Sequence, residues 1–168
     1  MKTTGVILLL FLYLYSPAQS VFSNNTNAAI EKVIRDYPNQ FRNIRGSVVD
    51  ESSQAINYQS NITIPGALSC IVTRHNFSKS ETITWKAELY ESNNFQEAKN
   101  LYKDLYSQIR NSIVRIEGEK PYILNGQYEI PDQQKNRHSV IFNMLPSVGN
   151  MQKVKVELLM VQHAQTWK

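Results

Sequence analysis

"IPGALSCIVTRHNFSKSETITWKAELY", residues 64–90, is the stretch that sets the fold class. Pro65-Gly66 is a turn signal, and the residues after it alternate with a period of two. Leu68, Cys70 and Val72 share one face of a strand, while Ser69, Ile71, Thr73 and His75 share the other. After the polar connection "NFSKSE", the run "TITWKAELY" places Ile83, Trp85, Ala87 and Leu89 inward, with Thr82, Thr84, Lys86, Glu88 and Tyr90 outward. Two adjacent strands with one apolar face each predict an antiparallel hairpin packed on one side. The same parity judges the chain's only cysteine. Cys70 and His75 stand five residues apart, so a regular strand points them to opposite faces. An apolar neighbourhood raises a thiol pKa, whereas a nucleophile needs it lowered. Cys70 reads as a reduced core residue rather than half of a reactive pair.

Outward from the hairpin, "NTNAAIEKVIRDYPNQF" has Ile30, Val33, Ile34 and Tyr37 at helical spacing. Thr26 or Asn27 serves as its cap, and Pro38 ends it. "RGSVVD" reads as a strand, and residues 50–63 as a loop or a ragged edge strand through Ile56 and Tyr58. Downstream, "SNNFQEAKNLYKDLYSQIRNSI" carries the strongest helical stripe: Phe95, Ala98, Leu101, Tyr102, Leu105, Ile109 and Ile113. Asn93 with Gln96 has capping-box spacing. Its polar face mixes both charge signs, which suits a helix lying on a sheet better than one lying on a membrane.

"KPYILNGQYEIPD" centres on Asn125-Gly126, a preferred pair for a two-residue type I′ turn. It predicts a short ribbon with Tyr122, Ile123, Tyr128 and Ile130 on its arms, bracketed by Pro121 and Pro131. "HSVIFNML" and "KVKVELLMVQ" form the closing strand pair, the latter covered on both sides in its second half. The predicted class is therefore α+β: a single antiparallel sheet of about five to seven strands, with two helices packed on one face. The order is helix, three strands, helix, short hairpin, two strands.

"MKTTGVILLLFLYLYSPAQS", residues 1–20, has the parts of a cleaved signal peptide: Lys2, an uncharged apolar run to Tyr15, a break at Ser16-Pro17, and small residues at Ala18 and Ser20. The run is too short to span a bilayer. The expectation is an exported chain forming one domain over residues 21–168, periplasmic or secreted, with no integral membrane segment after cleavage. One cysteine makes no internal disulfide, which fits a bacterial envelope protein better than a disulfide-dense extracellular scaffold. Asn24, Asn61 and Asn76 begin N-x-[ST] sequons, relevant only in a eukaryotic secretory pathway. The chain has 18 basic and 14 acidic residues, mixed along its length without a basic run or interleaved aromatics, so nucleic acid is not the expected partner.

Little here looks like chemistry. His75, His138 and His163 are far apart and match no metal-ligand spacing, so no metal or other cofactor is expected. Glu117 and Glu119 read as solvated loop carboxylates. No phosphate-binding or nucleophile-elbow motif occurs, so the sequence nominates no catalytic residue. An enzyme is less expected than a small non-catalytic domain that binds another envelope or secreted protein. Two surfaces suit that role: the ribbon with Tyr122, Ile123, Tyr128 and Ile130, and the outward hairpin face with His75, Thr84, Lys86 and Tyr90. The alternatives are a carrier holding an apolar molecule against Tyr102, Phe142 or Trp85, and a hydrolase assembled from distant residues.

Overall fold

The protein, in a computed structural model describing residues 19–77 and 80–168 (backbone alone for 19–24, 77, 80 and 81), is α+β and antiparallel throughout. The chain runs through α1 (Gln19–Asp36), β1 (Arg45–Glu51), β2 (Ala55–Ser60), β3 (Ser69–Phe77), β4 (Ser80–Glu88) and α2 (Phe95–Arg110). It continues through β5 (Ile113–Val114), β6 (Tyr122–Asn125), β7 (Arg137–Leu145), β8 (Lys155–His163) and β9 (Thr166–Trp167). Most of the expected signal peptide lies outside the described residues.

The strands make two sheets rather than one: a four-stranded sheet in the order β1-β2-β3-β4 and a five-stranded sheet in the order β5-β6-β7-β8-β9. The chain leaves β4 after Glu88 to form α2, and a backbone bridge between Ser92, just past β4, and Trp167 ties that exit to β9. Its two hydrogen bonds measure 3.0 and 2.8 Å. The predicted hairpin is β3–β4, in unbroken register from Ser69↔Glu88 to Phe77↔Ser80. Residues 55–60, expected as loop or edge, are an inner strand between β1 and β3.

The helices begin elsewhere than expected. Thr26 and Asn27 lie inside α1, which starts at Gln19, and Asn27 accepts a bond from the Ser112 hydroxyl at 3.0 Å. Asp36 closes this helix. Its buried carboxylate accepts from Asn39, from the Asn43 side chain and backbone, and from the Ile44 backbone, shaping the turn into β1. At α2 the cap is Asn94, one residue later than expected. It accepts from the backbone of Gln96 and Glu97, its side-chain amide donates to the Glu97 carboxylate at 3.1 Å, and its own backbone N–H donates to Ser92 Oγ at 3.0 Å.

The Asn125-Gly126 hairpin does not form. β6 instead pairs with β5 and β7, and the chain continues past Gly126 alongside β7. The glycine serves close approach rather than a turn: a Cβ there would sit 2.8 Å from both Phe142 and Val140 and 3.0 Å from the Ile141 carbonyl. The two-residue turn with positive φ lies at Ala164 (46°) and Gln165 (73°), joining β8 to β9.

β7 alternates strictly, burying His138, Val140, Phe142 and Met144. With Leu158 and Met160 of β8, and Ala98, Tyr102, Tyr106 and Ile109 of α2, the three apolar residues Val140, Phe142 and Met144 build the main core. α1 adds Ala29, Ile30 and Ile34 to it and sends Val33 into a smaller core with Phe41, Ile44 and Val72. One helix thus seats against both sheets.

Candidate functional site

The side of the five-stranded sheet that faces away from the core is the most distinctive exposed surface. Pairing of β5, β6 and β7 aligns Ile113, Ile123 and Leu145 in one row across three strands. Their exposures are 44%, 49% and 38%, and Ile141, further along the same face of β7, is 48% exposed. The next row is Asn125, Asn143 and Lys155, two amides and a cation. Beyond it, Arg137 and Glu157 pair at 3.0 Å beside half-buried Leu159 and Val161. Burial of Val114, Tyr122, Leu124 and Met144 on the opposite face forces these neighbours outward, because strand side chains alternate. An aliphatic row rimmed by hydrogen-bonding amides has the makeup of a protein-contact surface.

The predicted ribbon residues separate. Tyr122 is buried and donates its hydroxyl to Glu119. This bond to a carboxylate raises the phenol's pKa, with burial adding to the effect. Tyr128 folds back between Tyr102 and Tyr106, with ring centroids 6.1 and 4.8 Å away. Ile123 belongs to the aliphatic row, and Ile130, 73% exposed, stands apart on the loop before buried Pro131. The four form no single surface because the turn that would present them is absent.

On the four-stranded sheet, the outward face comes out as expected for three of four residues. Asp50, Asn57, Thr73 and Thr84 align across all four strands. Asn57 donates to Asp50, Thr73 donates to Asn57 at 2.6 Å, and His75 Nε2 bonds Thr84 at 3.2 Å. Lys86 is exposed on the same face, opposite Ile71. Tyr90 is the exception. β4 ends at Glu88, so Tyr90 turns toward α2 and donates to Glu97 at 2.6 Å, a bond that raises its pKa.

Cys70 lies opposite Ala87 and is buried, on the face away from His75. Burial pushes its thiol pKa up, offset in part by a hydrogen bond with the Ile64 backbone. His138 is a structural group: its Nε2–H donates to the Asp132 and Lys135 carbonyls at 2.9 and 3.2 Å, which fixes the tautomer. Among the described residues, no group of three or more His, Cys, Asp or Glu is placed to hold a metal ion. No described helix is long and apolar enough to cross a membrane. Tyr102 and Phe142, expected walls of a carrier cavity, instead pack in a closed run with Tyr106 and Tyr128.

Comparison with protein-family models, curated proteins and solved structures gives no match. The functional reading therefore rests on geometry. Sequence reasoning missed Ile113, Ile141 and Leu145. Spacing assigns Ile113 to the helical stripe of α2, although that helix ends three residues earlier at Arg110. The available signal is the apolar residues Ile141 and Leu145 on the parity opposite to Val140, Phe142 and Met144.

Proposed function

We propose that the protein is an exported, non-catalytic domain that binds another envelope or secreted protein through the outer face of its five-stranded sheet. One observation carries this reading: Ile113, Ile123 and Leu145 stand exposed and in register on a sheet whose other face is fully used by the core. These side chains are already about half covered, so burying the remainder of each against a partner contributes on the order of 1 kcal/mol, and three in one row make an apolar anchor. Asn125 and Asn143 beside the row supply donors and acceptors for orientation. Export rests on the n-region, apolar run and small-residue pattern of residues 1–20.

The test is cross-linking and affinity recovery from the native envelope or culture fraction, with wild type beside Ile123→Glu. The substitution is at an exposed position and leaves the melting temperature within a few degrees. A partner recovered by the wild type and lost with Ile123→Glu supports the reading. Equal recovery by both chains, or no reproducible partner, overturns it.

A further inference from the structure

The geometry points to the free edge of β4 as a second docking surface, one that takes an extended, carboxylate-bearing segment of a partner protein by strand addition. Among the described residues, β3 is the only strand paired with β4. Half of the β4 backbone N–H and C=O groups therefore face away from the sheet, the arrangement that an added strand completes.

The two edges of this sheet differ. β1 is broken by register shifts between Arg45 and Val48 and again between Val48 and Asp50. Such irregularities twist an edge away from pairing. β4 has none over its nine residues and contains no proline. It offers a regular template.

Beside that edge lies an open cleft of about 460 Å³, where Thr82 and Ile83 of β4 meet Tyr37, Gln40, Asn150 and Lys153. Tyr37 and Ile83 are half-buried and give the cleft an apolar wall. Gln40 and Asn150 are exposed amides. Lys153 is the one charged residue lining the cleft, and among the described residues it forms no ion pair. A strand laid along β4 places alternate side chains toward this cleft, and the ammonium selects a carboxylate among them. A regular edge gives main-chain affinity and the adjoining cation gives side-chain preference. This surface is on the other sheet from the aliphatic row, so it stands or falls separately from the reading above.

The experiment pans a phage-displayed library of random peptides against the purified chain, then measures binding of the enriched peptides by fluorescence anisotropy. Enrichment of Asp- or Glu-containing peptides is expected, with slowed amide exchange within residues 82–87 on binding. Lys153→Glu is expected to weaken them by about tenfold, whereas Ile123→Glu leaves them unchanged. Three results each overturn the proposal: no enrichment, binding indifferent to Lys153→Glu, or protection on β5–β7 instead of β4. Concentration-dependent dimerisation that protects residues 82–87 without peptide also overturns it, since a second copy then occupies the edge.

Discussion

Tyr102 presents the clearest conflict at the scale of one residue. Its ring is buried against α2's partners in the core, yet its hydroxyl has no hydrogen-bond partner among the described residues. A buried donor without an acceptor costs stability that its ring does not need. Tyr102→Phe is therefore expected to raise stability by up to about 1 kcal/mol at pH 7, measured by urea unfolding. The same hydroxyl makes a pH prediction. Its pKa is pushed up to about 12 by burial, and then by Tyr128, Glu129 and Glu157. In the unfolded chain a tyrosine titrates near 10. Below that pH both states hold the proton. Between about 10 and 12 only the unfolded chain releases it, so stability falls across that window. Tyr102→Phe is expected to make this alkaline loss shallower, while raised phenols at Tyr122 and Tyr128 leave some of it in place. An unchanged slope in the variant counts against the buried phenol as its source.

Among the elements, period-two patterning marks β3, β4, β7 and β8 directly, since each has one face against a core. It also places Cys70 and His75 on opposite faces. Where pairing rather than periodicity decides, the sequence is a poor guide. Asn125-Gly126 has ideal turn chemistry, but β6 pairs with β5 on one side and with the nine-residue β7 on the other, and Gly126 serves contact with Phe142 and Val140. The aliphatic row is hidden for the same reason, because its members come from three strands joined by register alone. Conversely, Ala164-Gln165 forms a two-residue turn with residues that disfavour positive φ. That mismatch makes the element improvable. Ala164→Asn with Gln165→Gly is expected to raise stability by about 1 kcal/mol, read as a higher urea midpoint with unchanged m-value. A lower midpoint means that the side chains of Ala164 and Gln165 hold the turn by contacts beyond its backbone.

The whole molecule depends on how its two sheets are held, and the last strand supplies that link. Trp167 is buried, packs 5.2 Å from Phe95 at the start of α2, and stacks 28° from the plane of His138 at 6.3 Å. Its backbone pairs with Ser92, and Lys168 reaches Glu88 at the end of β4 at 3.1 Å. Thr166 donates to Asn93 at 3.0 Å. One short strand thus touches the exit of the four-stranded sheet, the start of α2 and the centre of the five-stranded sheet. The ion pair is exposed and contributes little, so the indole dominates. Trp167→Ala is expected to cost about 3–5 kcal/mol, the range for deleting a large buried aromatic. The stronger expectation concerns cooperativity. With the indole gone, amide exchange within Ser69–Glu88 and within Arg137–His163 is expected to report two different opening free energies, where the wild type reports one. Phe95→Ala removes one ring neighbour of the indole but keeps the His138 stack and the Ser92–Trp167 bridge, so it should lower stability while leaving the two sheets coupled. If Trp167→Ala destabilises both sheets equally, α1 with its side chains in both cores is the element that couples them, and β9 is only a well-packed end.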